Sequence, residues 1–212
     1  MPHPFPHLRW LALAWLAVYL PSYAVAYGLL NFLFLCNLGI MLTAIGLWRG
    51  SSLLLSSQAL ACPVISLAWA FDAGGRLFTG QHPFGFTAYM WDPQWPLFTR
   101  GLSLYHLAWP VVLYWALHRR GYDPRALALQ GLIATGAIAA GRLGDAELNI
   151  NYAWRDPLVG LAWGPPVVHV GAILACLWSA IYVPTHLLLL RAFPLHATTA
   201  TSPAPRPEAG LG

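Results

Sequence analysis

The side chains best suited to chemistry in this sequence stand inside apolar stretches, where an ionisable or nucleophilic group is costly and so a functional candidate. His106 has Thr99 and Ser103 on its own helical face. Imidazole titrates near neutral pH, so His106 suits a general base; it reads equally as a hydrogen-bonded tie to a neighbouring helix. Cys36 is followed by Asn37, with Thr43 one heptad on. A thiolate beside a base is a competent acyl-accepting nucleophile, whereas a buried cysteine without one is a small hydrophobe. Arg100, four residues into its apolar run, has the planar fork that holds a phosphate or carboxylate; the structural alternatives are snorkelling outward or pairing with Asp92 or Asp72.

Two polar stripes accompany these groups. Gln58, Cys62 and Ser66 recur at helical spacing, and His169, Cys176, Ser179 and His186 run along another face. Both are expected to turn inward. His169 and His186 are separated by about 25 Å of helix and cannot share one metal or substrate atom. His169, nearer the long loops, is grouped with a site. Asn149–Tyr152, followed by Trp154-Arg155, is polar and aromatic; Asn151, Tyr152 and Arg155 are candidates to lid a cavity, and the segment reads equally as an ordinary loop. Asp92-Pro93, Asp123-Pro124 and Asp156-Pro157 read as helix N-caps with proline at the first helical position. No metal or cofactor is expected.

The elements that must hold these groups follow from composition. Only 8% of residues are charged and 58% are hydrophobic, against roughly 25% charged in a soluble domain. That surface is too poor in charge to face water, which points to a bilayer. All 11 cations are arginines, no basic stretch exceeds Arg119-Arg120, and the net charge of +4 reads as loop charge, excluding a nucleic-acid partner. Cys36, Cys62 and Cys176 form no CxxC and read as reduced, buried thiols. Trp10, Trp48, Trp95 and Trp163 end apolar runs, as an interfacial belt does.

Apolar runs predict an all-α bundle of about six transmembrane helices in one domain over residues 1–195, with spans near 8–26, 28–48, 52–71, 96–118, 126–142 and 166–190. The first, interrupted at Pro21, also fits a cleavable signal peptide; an uncleaved, kinked helix is the expectation. In the fifth, Gly136/Ala140 and Ala137/Gly141 have the spacing that brings helices close. Residues 196–212 read as a disordered tail. Arg9, Arg49, Arg119, Arg120, Arg125, Arg191 and Arg206 fall on the side of the N-terminus, and Arg76, Arg142 and Arg155 on the other. This asymmetry puts both termini in the cytoplasm.

Leu35-Cys36-Asn37, the Ser103-to-His106 stretch and Asn149 to Tyr152 occur in an order that resembles the YwaF-type six-helix bacterial membrane proteins. Those are related to a eukaryotic ether-phospholipid acyltransferase and, more remotely, to the androgen-induced lipid hydrolases. The resemblance covers about residues 28–190. It implies a nucleophile at Cys36, a base at His106, membrane lipids as substrates and the cytoplasmic membrane as location. Asn37 stands where an acid commonly follows the cysteine, and Tyr105 where a serine is usual. The expected activity is lipid acyl transfer or hydrolysis, with Asn37, Ser103, Arg100, Asn151, Tyr152, Arg155 and His169 binding substrate. The rival is a non-enzymatic carrier, binding module or subunit, with a membrane-protein partner or a second copy.

Overall fold

The computed structural model describes residues 2–195, and the tail expected at 196–212 lies outside them. The described chain is helical: α1 (Leu8–Tyr27), α2 (Leu35–Arg49), α3 (Ser52–Thr79), α4 (Leu97–Leu102), α5 (Tyr105–Arg120), α6 (Ala126–Arg142), α7 (Pro166–Cys176) and α8 (Val183–Ala192). Short 3-10 turns cover Leu29–Leu33, Ala88–Met90 and Ile150–Tyr152, and a π segment, Leu177–Tyr182, joins α7 to α8. The helices combine into six rods, three of which, Leu8–Tyr27, Ser52–Thr79 and Pro166–Ala192, are long and apolar enough to cross a membrane.

α3 is the central pillar. It packs against α2, α5, α6 and the π–α8 run, while α1 leans on α2 and α4. Its stripe of Gln58, Cys62 and Ser66 faces inward and is buried. Gln58 Nε2 donates to Ser57 Oγ and Gln130 Oε1, and Gln130 Nε2 to Tyr182 Oη. Glycine permits the closest approaches: a Cβ on Gly39 would sit 2.5 Å from the Trp109 ring, and one on Gly131 would run into Trp178. Gly136, expected to mediate such a contact, faces open space.

Pro21 lies inside an unbroken α1. Two later runs divide where their hydropathy shows no break. The run 28–48 opens with Gly28, at φ 77°, and the 3-10 turn, and divides at the extended Phe34, so α2 begins only at Leu35. The run 96–118 divides at Ser103-Leu104 between α4 and α5. The last run is continuous, but its π segment shifts the register. His169, Ile173, Tyr182 and Leu189 are buried, while Cys176, which precedes that segment, and Ser179 within it, both expected inside, face outward. Ser179 tolerates this because its hydroxyl donates to the Ala175 carbonyl.

The outward faces of the rods are apolar. Along α1, Leu11, Ala14, Ala17, Val18 and Val25 are exposed; at and along α5, its N-cap Leu104 and then Leu107, Ala108 and Val111. On α6 the exposed Thr135 hydroxyl is satisfied by the Gly131 carbonyl. Charges gather at the two ends. One end joins residues 3–10 to 48–56 and 115–126: Trp10 packs on Trp48, Arg120 donates to Ser52, and the Asp123 N–H donates to Ser56. The other carries the loops after α3 and α6.

The Asp-Pro aspartates cap turns and not helices. The Asp92 carboxylate accepts the Gln94 N–H, Asp123 the Arg125 N–H, and Asp156 the N–H groups of Leu158, Val159 and Leu161. The Arg125 fork holds Asp123 below the usual carboxylate range against its burial. The Val159 N–H, then those of Leu161 and Leu158, hold Asp156 low in the same way. A depressed folded pKa gives stability that is complete above the unfolded value near ~3.9 and is lost as pH falls through the folded one. Melting temperature in detergent is therefore expected to drop between about pH 5 and about pH 3, and the double variant Asp123→Asn, Asp156→Asn to show a shallower slope. Parallel slopes would mean that neither turn titrates as its geometry requires.

Candidate functional site

The start of α2 is placed by a distant loop. Asn149, Asn151 and Tyr152 adopt positive φ values of 41°, 53° and 60°, a conformation asparagine tolerates better than most residues. This turns Asn151 back against the chain before α2. Its Oδ1 accepts the Leu35 N–H at 2.8 Å and its Nδ2 donates to the Leu33 carbonyl at 2.8 Å. Asn151 thus supplies the cap that the flanking Phe34 cannot. Cys36 and Asn37 consequently stand in the first turn of α2 and not at mid-span.

Asn37 is the centre of the polar cluster. Its Oδ1 accepts from the Tyr19 hydroxyl at 2.7 Å, the Tyr105 hydroxyl at 3.2 Å and the Cys36 thiol at 3.7 Å. Its Nδ2 donates to the Asn31 carbonyl at 2.7 Å, which ties the 3-10 turn to the helix.

The α4–α5 joint brings the second group. Ser103 ends α4, and His106 falls in the first turn of α5. His106 Nδ1 is 2.8 Å from the Ser103 carbonyl oxygen. A carbonyl only accepts, so Nδ1 carries the proton and Nε2 keeps its lone pair. Nε2 makes no hydrogen bond among the described residues. The ring is parallel to Trp69, with centroids 5.0 Å apart and planes 2° apart, and stacks on Tyr105 at 4.2 Å. Ser103 Oγ is 2.5 Å from the Tyr23 hydroxyl, and Trp69 Nε1 donates to Tyr89 Oη at 3.1 Å. Ser103, His106, Tyr105, Asn37 and Cys36 are therefore one connected cluster. No hydrogen bond joins Cys36 to His106.

The remaining candidates lie elsewhere. Arg100 pairs with neither Asp92 nor Asp72; its Nη1 donates to the Met90 carbonyl at 2.8 Å. Both acids are engaged, Asp92 with Gln94 and Asp72 with the loop from 82 to 87. Arg155 is exposed and lies 3.6 Å from Glu147. His169 is fully buried: its Nδ1 accepts the Trp163 N–H, so its Nε2–H donates to the Tyr152 carbonyl. With both nitrogens used, His169 is a clasp between α7 and the loop before it. Tyr152 contributes that carbonyl and packs its ring near Phe86. His186 meets Tyr122 at the opposite end. Among the described residues no three metal-ligating side chains converge.

Most of the cluster's wall escaped the sequence reading. Tyr19, Tyr23 and Tyr27 line one face of α1, with ring centroids 4.1 and 5.0 Å apart. Their i, i+4, i+8 spacing was the signal that could have found them. Trp69 and Tyr89 had none, because they meet the site only through tertiary packing. Comparison with known proteins adds no relative: no family model, curated protein or solved structure matches the chain.

Proposed function

We propose that this chain is a multi-pass protein of a bacterial cytoplasmic membrane, crossing it six times with both termini inside, that carries out acyl transfer or hydrolysis on membrane lipids. The apolar outer faces of the rods support the membrane reading. So does the charge balance of the two ends. The end holding the N-terminal segment has Arg9, Arg49, Arg119, Arg120, Arg125 and Arg191 with Asp123 as its acid; at the other, Arg76, Arg100, Arg142 and Arg155 stand among Asp72, Asp92, Asp145, Glu147 and Asp156. An arginine-rich end faces the cytoplasm. α2, with 15 residues, is about 22 Å long, short of a ~30 Å hydrocarbon core. The 3-10 turn and the Asn151 loop complete that crossing, and irregular backbone at this depth is tolerated where protein covers it.

The observation that carries the chemistry is a free thiol and a histidine lone pair in one buried cluster, linked through Tyr105 and Asn37. In the proposed reaction the Cys36 thiol turns from Asn37 and gives its proton to His106 Nε2. The thiolate attacks a lipid ester carbonyl, a C–S bond forms, the ester C–O bond breaks, and the released alcohol takes the proton from His106. Water or a second lipid hydroxyl, deprotonated by His106, then attacks the thioester carbonyl; a C–O bond forms, the C–S bond breaks, and the departing Cys36 thiolate takes the proton back from His106. The resemblance to the YwaF-type proteins points the same way. The absence of a direct Cys36–His106 hydrogen bond favours a second reading, a lipid-binding module or membrane-assembly subunit.

Purified protein with mixed phospholipids decides between them. Wild type is expected to release or exchange acyl chains, and Cys36→Ala and His106→Ala each to lose this by at least about a hundredfold. Turnover by both variants at the wild-type rate would overturn the enzymatic reading.

A further inference from the structure

One seam of the molecule, between α1 and the α4–α5 rod, holds two cavities placed end to end. The first, of about 540 Å³, lies between Pro21–Ala26 of α1 and the stretch 94–99, and offers the polar side chains of Ser22, Gln94 and Thr99 beside Trp95. The second, of about 460 Å³, lies deeper between Leu8–Trp15 of α1, the α2 face from Ile40 to Leu47, and the stretch 101–112. No charged residue lines it, and the exposed Leu11, Leu104 and Ala108 mark its lateral mouth. From Val25 to Trp15 is about 15 Å of helix, half of a ~30 Å hydrocarbon core. The seam therefore passes from polar to apolar over the depth of one leaflet.

Three donors, one on its wall and two behind the residues that line it, lack acceptors. Arg100 follows Thr99 of the upper cleft and has no acid within ion-pair distance among the described residues; its Nε is buried and unpartnered. The Tyr27 hydroxyl, whose ring packs on Trp95 at 4.8 Å, is also buried without a partner. In the lower groove Trp15 Nε1 is the third. A half-buried guanidinium without a counter-charge is costly, and so is each orphaned donor. A ligand rich in acceptors and negatively charged at one end and hydrocarbon at the other answers Arg100 and Tyr27 with its head while its chain fills the apolar groove.

We propose that this seam is the seat of one anionic glycerophospholipid of the outer leaflet. Its phosphate lies in the upper cleft, drawn by Arg100 and Tyr27, and one acyl chain runs down into the lower groove. The seat rests on the membrane reading above and not on the acyl chemistry, so Cys36→Ala is expected to bind as wild type does. Tyr105 lines the groove and donates to Asn37, which sets the seated chain beside the Cys36 cluster.

The test reconstitutes the full chain in vesicles of equal phosphatidylglycerol and phosphatidylcholine, extracts it in mild detergent, and counts retained lipid by native mass spectrometry. Wild type and Cys36→Ala are expected to retain about one phosphatidylglycerol per chain, enriched about tenfold over phosphatidylcholine. Arg100→Gln should abolish the enrichment. Ala108→Trp, which fills the groove from an exposed position, should abolish retention of both lipids, whereas Leu132→Trp on the outer face of α6 should change neither. Millimolar inorganic phosphate should not displace the lipid. Equal retention of the two lipids by wild type overturns the proposal. So does undiminished retention by a folded Ala108→Trp, or displacement by phosphate alone. Acyl turnover that survives Ala108→Trp unchanged would leave the enzymatic reading standing and remove this seat.

Discussion

Asp72→Ala is expected to release the loop between α3 and α4 and to lower the stability of the protein by about 3–5 kcal/mol, the range for removing one partner of a buried, charge-assisted network. The reason is the density of donors around one carboxylate with no exposure. Oδ1 accepts the N–H groups of Phe84 at 2.6 Å and Gly85 at 2.9 Å; Oδ2 accepts the Thr87 N–H at 2.8 Å and its hydroxyl at 2.6 Å, and lies 3.2 Å from His82 Nδ1. Without the anion these groups regain partners only if the loop lifts into water. Asp72→Asn keeps one acceptor oxygen but turns an NH2 group toward donors, so its loss is expected to be intermediate. Thermal melting in detergent gives the size of the effect, and limited proteolysis within 80–96 gives its place. The site should register the change too, because this loop carries Tyr89, which accepts from Trp69, the ring that stacks on His106. An Asp72→Ala protein with wild-type melting and no new cleavage would show that the carboxylate is not the loop's anchor.

The helical bundle was legible because its signal is cumulative: few charges, long apolar runs and charges confined to run ends. The breaks were not. Leu29–Leu33 and Phe34 are as apolar as the helices beside them, and hydropathy does not report which backbone carbonyl an N–H finds. The register shift at Leu177–Tyr182 hides for the same reason, so the expected placement of Ser179 and His186 on the His169 face assumed a regular helix that the π segment interrupts, while Cys176, ahead of that segment, is exposed for want of a neighbouring rod on its side. Arg100 illustrates a different limit. Charge matching suggested an acid, but a carbonyl at Met90 is invisible to any count of charged residues. The Asp-Pro pairs lie between these cases: a carboxylate accepting nearby N–H groups was the right physics, attached to turns instead of helices. Of the candidate site, Cys36, Asn37, Ser103 and His106 were named from residue type and position. The tyrosine and tryptophan wall that packs them together depends on which helices touch.

Asn37→Ala should do more damage than the loss of any single tyrosine hydroxyl in the cluster. Tyr19, Tyr105 and Cys36 converge on one oxygen, and the amide's other end holds the Asn31 carbonyl. Each buried polar group left unpaired costs about 1–3 kcal/mol, while side-chain hydrogen bonds between membrane helices have averaged only about 0.6 kcal/mol. Two hydroxyls and a carbonyl orphaned together give about 3 kcal/mol, and the weak thiol donor adds little. At 2–4 °C per kcal/mol for a chain of this size, the melting temperature should fall by about 6–12 °C. Tyr19→Phe removes a donor and leaves the oxygen served by Tyr105, so its effect should stay near about 1 kcal/mol. Asn37→Asp keeps the oxygen for the hydroxyls but sets a carboxylate against the Asn31 carbonyl, and should fall between the two. The same substitution reports on function. With its acceptor gone the Cys36 thiol is free to turn, and its labelling by a membrane-permeant maleimide should quicken in Asn37→Ala relative to Tyr19→Phe. Equal melting temperatures and equal labelling in those two variants would mean that the three side chains are held by packing alone, with Asn37 a bystander among them.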